Sequence, residues 1–304
     1  MSWFWLSVLA LLCWSGSDLF SKIGCRDSDD KVSHLKMVTA VGVVMGLHAA
    51  YEVFIAGVVI NLQIIWTYLP VSLLYILSMA LGYIGLRYIE LAISSPICNA
   101  SGAIVAVATI ATAGLQAMNG YQVAATAMVC IGVIGLGVVE AREDEGTRSL
   151  RQSISDYHYP KSIMAFALPL AYCVLDAAGT FADSLVLQTL DEDSANVAYE
   201  LTFLIAGIVC LIILLARKER FTLRRETPKY IGACFETAGQ LFYIYALADT
   251  AHVAMSAPII SAYCMASVIW SRIFLREKLS AKHYLMIVIA VVGIVILGLF
   301  DELG

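Results

Sequence analysis

The chain repeats itself at long range. Gly132-Val133-Ile134-Gly135-Leu136-Gly137-Val138-Val139-Glu140 returns as Gly293-Ile294-Val295-Ile296-Leu297-Gly298-Leu299-Phe300-Asp301, an offset of 161 (293 − 132). An offset of 161 or 162 also carries Phe20 onto Phe181, Gly46 onto Gly207, Tyr83 onto Tyr245 and Pro96 onto Pro258. Each half holds five apolar stretches of about 20 residues, the length that spans a bilayer as a helix. Five crossings reverse the sense of the second half. The expected fold is all-α and integral to a membrane, with ten transmembrane helices as two inverted five-helix repeats. The expected domains are residues 1–140, a linker at 141–160 and residues 161–304. Such repeats are an architecture of alternating-access carriers.

Composition agrees. The chain is 60% apolar and 14% charged, with mean hydropathy +0.81, too little polar surface for a soluble protein of 304 residues. Helices are expected near 3–23, 35–57, 66–87, 92–114, 119–139, 161–182, 196–216, 229–248, 253–274 and 282–300. Continuous apolar runs without period-2 alternation select helices, whose backbone is satisfied within each segment. The opening Met1-Ser2-Trp3-Phe4-Trp5 has no basic n-region, so the first run is expected to remain as a membrane helix. Seven of the eight cysteines fall inside apolar stretches and none forms a CxxC pair. They are expected to be small packing residues, and neither a metal nor a cofactor is expected.

Charge sets the orientation. All 19 lysines and arginines fall in or beside the odd-numbered loops, from Lys22 and Lys36 around loop 1 to Arg272 and Lys282 around loop 9. The positive-inside rule then makes the odd loops cytoplasmic and both termini external, in the plasma (inner) membrane. The segment 183–193, with Asp183, Asp191, Glu192 and Asp193, is expected to be a solvated external loop. No basic tail or face invites nucleic acid. The expected partners are a small-molecule substrate and membrane lipids, with the chain a monomer or homodimer. The loops hold no nucleophile–base pair or metal cluster, which argues against an enzyme.

Ten spans in two repeats, with Arg276-Glu277-Lys278-Leu279-Ser280 closing the ninth, resemble the drug/metabolite transporter superfamily and its EamA family in particular. The segments Tyr88–Pro96 and Ala248–Pro258 look like the family's links into helices 4 and 9. The first repeat departs from the pattern, with Met118-Asn119-Gly120-Tyr121-Gln122 where the second has the Arg-Glu-Lys-Leu-Ser turn. The resemblance implies a carrier of metabolites by alternating access. It also implies a cavity between helices 1, 3, 4, 6, 8 and 9, into which Asn99 and Tyr263 would face.

Ionisable groups at membrane depth are costly unless they face protein or water. Span 1 carries Trp14, Asp18 and Lys22 four residues apart on one face. Span 6 repeats the aromatic–acid spacing as Tyr172 and Asp176. Two readings stand: walls of one cargo cavity, or local pairing such as Asp18 with Lys22. Span 8 presents Glu236, Gln240 and Tyr243 on one face near mid-depth, whereas its repeat mates are Leu74, Ser78 and Leu81. That asymmetry suits a cargo site in which Glu236 would exchange protons and couple transport to a proton gradient; the alternative is a structural carboxyl hydrogen-bonded to Gln240 or another helix. His48 and Glu52, one turn apart on span 2, form a candidate proton relay or an interfacial pair. Glu200 reads as a charge at the start of span 7, favoured by the helix dipole. Tyr83 and Tyr245 are related aromatic candidates. Pro96 and Pro258 are expected to start spans 4 and 9, where proline sacrifices no hydrogen bond; a backbone opened toward cargo is the alternative. Glycines of spans 5 and 10 are expected to pack internally. Acids and rings outnumber bases at depth, so the cargo is expected to be cationic or zwitterionic, such as an amine or amino acid.

Overall fold

The computed structural model describes residues 2–25, 30–86, 88, 91–114, 119–142, 146, 163–275 and 280–303. The turn at Arg276–Leu279, Glu90, Met118 and most of the 141–160 linker lie outside the described residues. So do Arg26, Arg87, Arg148, Arg151 and Lys161. Among the described residues every regular element is helical: α1 (Trp3–Cys25), α2 (Ser33–Tyr51), α3 (Leu62–Gly85), α4 (Leu91–Cys98), α5 (Ser101–Ala113) and α6 (Gly120–Ala141). After the linker come α7 (Met164–Val186), α8 (Glu192–Ala216), α9 (Leu223–Ala248), α10 (Val253–Ser261), α11 (Tyr263–Phe274) and α12 (Ala281–Leu303). A π-helical turn, Glu52–Ala56, prolongs α2.

Seven segments are long and apolar enough to cross a membrane: Trp3–Cys25, Ser33–Ala56, Leu62–Gly85, Ser94–Thr112, Gly120–Val139, Glu192–Ala216 and Val253–Phe274. The other three expected spans fall on α7, which carries Asp176 and Asp183, on α9, which carries Arg224, Arg225, Glu226, Lys229 and Glu236, and on Ala281–Leu297, a shorter apolar stretch. The protein is a multi-pass helical membrane protein.

Close approach between helices depends on glycine. A Cβ on Gly42 of α2 would lie 2.5 Å from the Phe203 carbonyl oxygen and 2.9 Å from the Cα of Gly207 on α8. On α6 and α12, a Cβ on Gly132 would lie 2.6 Å from the Ala290 Cβ, and one on Gly293 2.7 Å from the Ala125 oxygen. The glycines of spans 5 and 10 therefore join these two helices inside the fold.

Three local expectations change. Pro96 and Pro258 do not begin helices; they lie within the half-helices α4 and α10, which stop at Asn99–Ala100 and at Ala262. Proline removes a backbone donor from the ladder, and the next turns tighten to three-residue spacing. Ala100 N bonds the Ile97 oxygen at 3.4 Å, Ala262 N the Ile259 oxygen at 3.1 Å, and Met265 N the Ala262 oxygen at 2.9 Å. Each proline thus precedes a short break in its helix instead of standing at a helix start. Second, Asp183 is not in a solvated loop: α7 continues to Val186, and Asp183 is 0% exposed. Third, α8 begins at Glu192, with Asp191 Oδ1 accepting from Ser194 N at 2.8 Å. Glu200 consequently stands two turns inside the helix rather than at its start.

The helix ends near Cys25, Leu86 and Lys229 are tied by charge. Lys36 Nζ lies 3.0 Å from Asp30 and 3.5 Å from Glu226, and Lys229 Nζ 2.9 Å from Glu226. Lys22, 1% exposed, donates to the Leu86 carbonyl at 2.8 Å. All four charged groups of that network are buried, so removing one partner leaves another without compensation. Lys36→Met is expected to lower stability by about 3 kcal/mol, read as a drop in the unfolding midpoint in detergent.

Candidate functional site

Helices α1, α3, α4, α7, α9 and α11, with Tyr199 of α8, surround one cavity enclosing about 820 Å³ of empty space, its mouth included. Nine of the residues singled out from sequence line it: Trp14, Asp18, Tyr83, Asn99, Tyr172, Asp176, Glu236, Gln240 and Tyr263. Asn99 and Tyr263 flank the two helix breaks, so the interruptions that proline seeds in α4–α5 and α10–α11 meet at the cavity wall. Tyr243 stands behind that wall. Its hydroxyl bonds that of Tyr75, and its ring centroid is 4.9 Å from that of Trp14. Trp14 also meets Tyr263 edge to face at 5.8 Å.

Each carboxyl in the cavity accepts from serine. Asp18 Oδ2 accepts from Ser95 Oγ on α4 and from Ser267 Oγ on α11, the latter at 2.8 Å. Lys22 turns to the Leu86 carbonyl instead of pairing with Asp18. Asp176 accepts from Ser101 Oγ and Glu236 from Ser17 Oγ, both at 2.7 Å. No lysine, arginine or histidine is among the residues lining the cavity. Three carboxyls, tyrosine rings and an indole thus face one space without a built-in cation, an arrangement that can receive an ammonium group by ion pairing and cation–π contact. Replacing Ser95 and Ser267 together by alanine removes both donors to Asp18. It is expected to lower stability by about 2 kcal/mol, measured as the shift in unfolding midpoint.

His48 and Glu52 stand elsewhere, between α2 and α8. His48 Nδ1 is 2.8 Å from Glu200 Oε1, and His48 Nε2 is 3.6 Å from Glu52. Glu200 is fully buried. The pairing that orders this cluster joins residues 152 apart, which no local spacing reveals. Tyr245 differs from its repeat mate Tyr83: its hydroxyl bonds Asp193 outside the cavity. Eleven lining residues were not singled out as site residues from sequence, Ser17, Tyr75, Met79 and Tyr199 among them. Tyr68, Tyr75 and Tyr83 recur at about two-turn spacing along α3, a stripe that periodicity alone could have raised.

Fold and site together define a polytopic helical membrane protein with a polar, aromatic chamber at depth. Residues 167–299, nearly all of the second half, match the EamA-like transporter family. The resemblance to the drug/metabolite transporter superfamily is thereby borne out over those residues, where the chain is similar to a family of membrane transporters. A solved crystal structure of a protein 13% identical covers 99% of this chain and 97% of its own, with a TM-score of 0.64, a likeness of fold. Among curated proteins none matches.

Proposed function

We propose that this protein carries a small cationic or zwitterionic organic molecule, such as an amine or amino acid, across the plasma membrane by alternating access. Asp18, Asp176 and Glu236 engage its charged group, Trp14, Tyr172 and Tyr263 cover it, and Glu236 exchanges the coupling proton. The observation that carries this reading is the convergence of three carboxyls on a chamber whose lining contains no basic side chain.

Helix pairing supports the inverted repeat. Exchanging the halves converts α1 on α9 into α7 on α3, and α5 on α10 into α11 on α4. It returns α2 on α8 and α6 on α12 to themselves. All of these pairs are packed together. Two five-helix units at 1–140 and 161–304 then rock about a central site. The lysines and arginines set the odd loops in the cytoplasm and both termini outside.

The test is binding followed by flux. Amines and amino acids should raise the unfolding midpoint of the detergent-solubilised protein, and the stabilising compound should enter proteoliposomes saturably. Asp176→Asn is expected to weaken binding by roughly 30-fold, the equivalent of ~2 kcal/mol for a charge-assisted contact. Stabilisation by organic anions but not by cations would reverse the assignment of cargo.

A further inference from the structure

Beyond the chamber, at the end of the bundle opposite Lys22 and Lys229, α3, α7 and α9 meet through hydroxyls around a second acid. Asp183 lies in the last turn of α7 and is fully buried. Its Oδ1 accepts from the Tyr68 hydroxyl on α3 at 2.8 Å. Tyr75, also on α3, donates to Thr180 Oγ1 at 3.1 Å and bonds the Tyr243 hydroxyl on α9. The second oxygen, Oδ2, is buried and receives no well-formed hydrogen bond, although the hydroxyls of Tyr75 and Tyr243 lie near the carboxyl group.

Among the described residues, the helices around this acid bring no cation to it. The helices α3, α4, α5 and α7, and also α8, contain no lysine, arginine or histidine. The three basic residues of α9 (Arg224, Arg225 and Lys229) sit in its first two turns, at the far end. The titratable groups facing this acid are Tyr68 and Tyr75 from α3, Tyr243 from α9 and Tyr199 from α8. On α4, Cys98 lies toward Asp176, and α5 offers no titratable side chain. An unpaired carboxylate without water is heavily disfavoured, whereas one proton neutralises it and needs no further ligand.

We propose that Asp183 is a proton-binding site, separate from the cargo carboxyls. It holds a proton while α3, α7 and α9 are closed at this end, and loses it when they part and admit water. Tyr75 lines the cargo chamber and also bonds Thr180, so it physically connects the chamber to this latch. The opening half of the proposal rests on the alternating-access reading; the protonated closed state does not.

The infrared spectrum of the whole purified protein at neutral pH tests the closed state. Asp183→Asn is expected to remove one protonated-carboxyl band; an unchanged band pattern overturns the proposal. Opening is read with Leu187→Cys, a buried position one turn beyond Asp183, and a charged, membrane-impermeant maleimide. The labelling rate with Asp183 intact, divided by that in the Asp183→Asn background, is expected to rise by about tenfold per pH unit on the alkaline approach. A flat ratio overturns the coupling. Should Asp183→Asn fail to fold, Tyr68→Phe, which removes the donor to the ionised form, is expected to move the rise to more alkaline pH; no movement counts against the site. Loss of the infrared band in a protein that moves no cargo would remove the transport reading and leave the proton site standing.

Discussion

Glu236→Gln is expected to yield a folded protein whose transport falls to about one hundredth and no longer responds to a pH gradient. Glutamine has the same shape as glutamate and keeps an oxygen for the Ser17 hydroxyl, which bonds Glu236 at 2.7 Å. What it cannot do is gain or lose a proton. A structural carboxyl would tolerate that exchange with little change, since the hydrogen bond survives. A carboxyl that must exchange protons as the chamber changes sides would not, and the loss matches ~2.7 kcal/mol of charge-dependent interaction. Flux into proteoliposomes with and without an imposed pH difference measures both parts. Wild-type flux with wild-type pH dependence would remove Glu236 from the coupling step.

The largest stability effect is expected at Gly42. Valine there would drive its Cβ to 2.5 Å from the Phe203 carbonyl oxygen and 2.9 Å from Gly207 Cα. Both obstacles are backbone, so no rotamer relieves the clash and α2 must draw away from α8. Overpacking of this kind costs about 3 kcal/mol or more. The expected result is a large fall in the unfolding midpoint in detergent, or failure to recover folded protein. Leu47→Val, five residues along α2 but with its side chain exposed on the outer face, is the matched control and should leave the midpoint almost unchanged. Equal midpoints for the two variants would show that the α2–α8 approach carries little of the stability.

How far the site could be read from the chain follows from how each signal is spaced. Trp14 and Asp18, Tyr172 and Asp176, and Glu236 and Gln240 announce themselves because acids and amides are rare within apolar runs and recur at helical spacing. Those residues do line one chamber. Asp183 has the same chemistry but was hidden by its neighbours. It adjoins an acidic segment, and only the continuation of α7 to Val186 and the Tyr68 hydroxyl draw it into the interior. Glu200 was misread for a related reason, because its partner His48 comes from the other half of the chain. The prolines signalled two places where helices change, and tertiary structure put the breaks three or four residues later, where Asn99 and Tyr263 reach the chamber.

By itself the amino-acid order determined that this chain lies in a membrane and that it is helical, and it picked out most of the polar residues that line the chamber. Those properties are sums over local hydropathy and periodicity, and each needs only residues within a turn or two. Tertiary structure alone decided which carboxyl meets which serine, which acid is sealed behind tyrosines, and that His48 belongs with Glu200 rather than with the chamber. Such contacts join residues 75 to 249 positions apart. They depend on how closely helices approach and how each is rotated, and glycine-to-backbone packing sets both only once the bundle has formed.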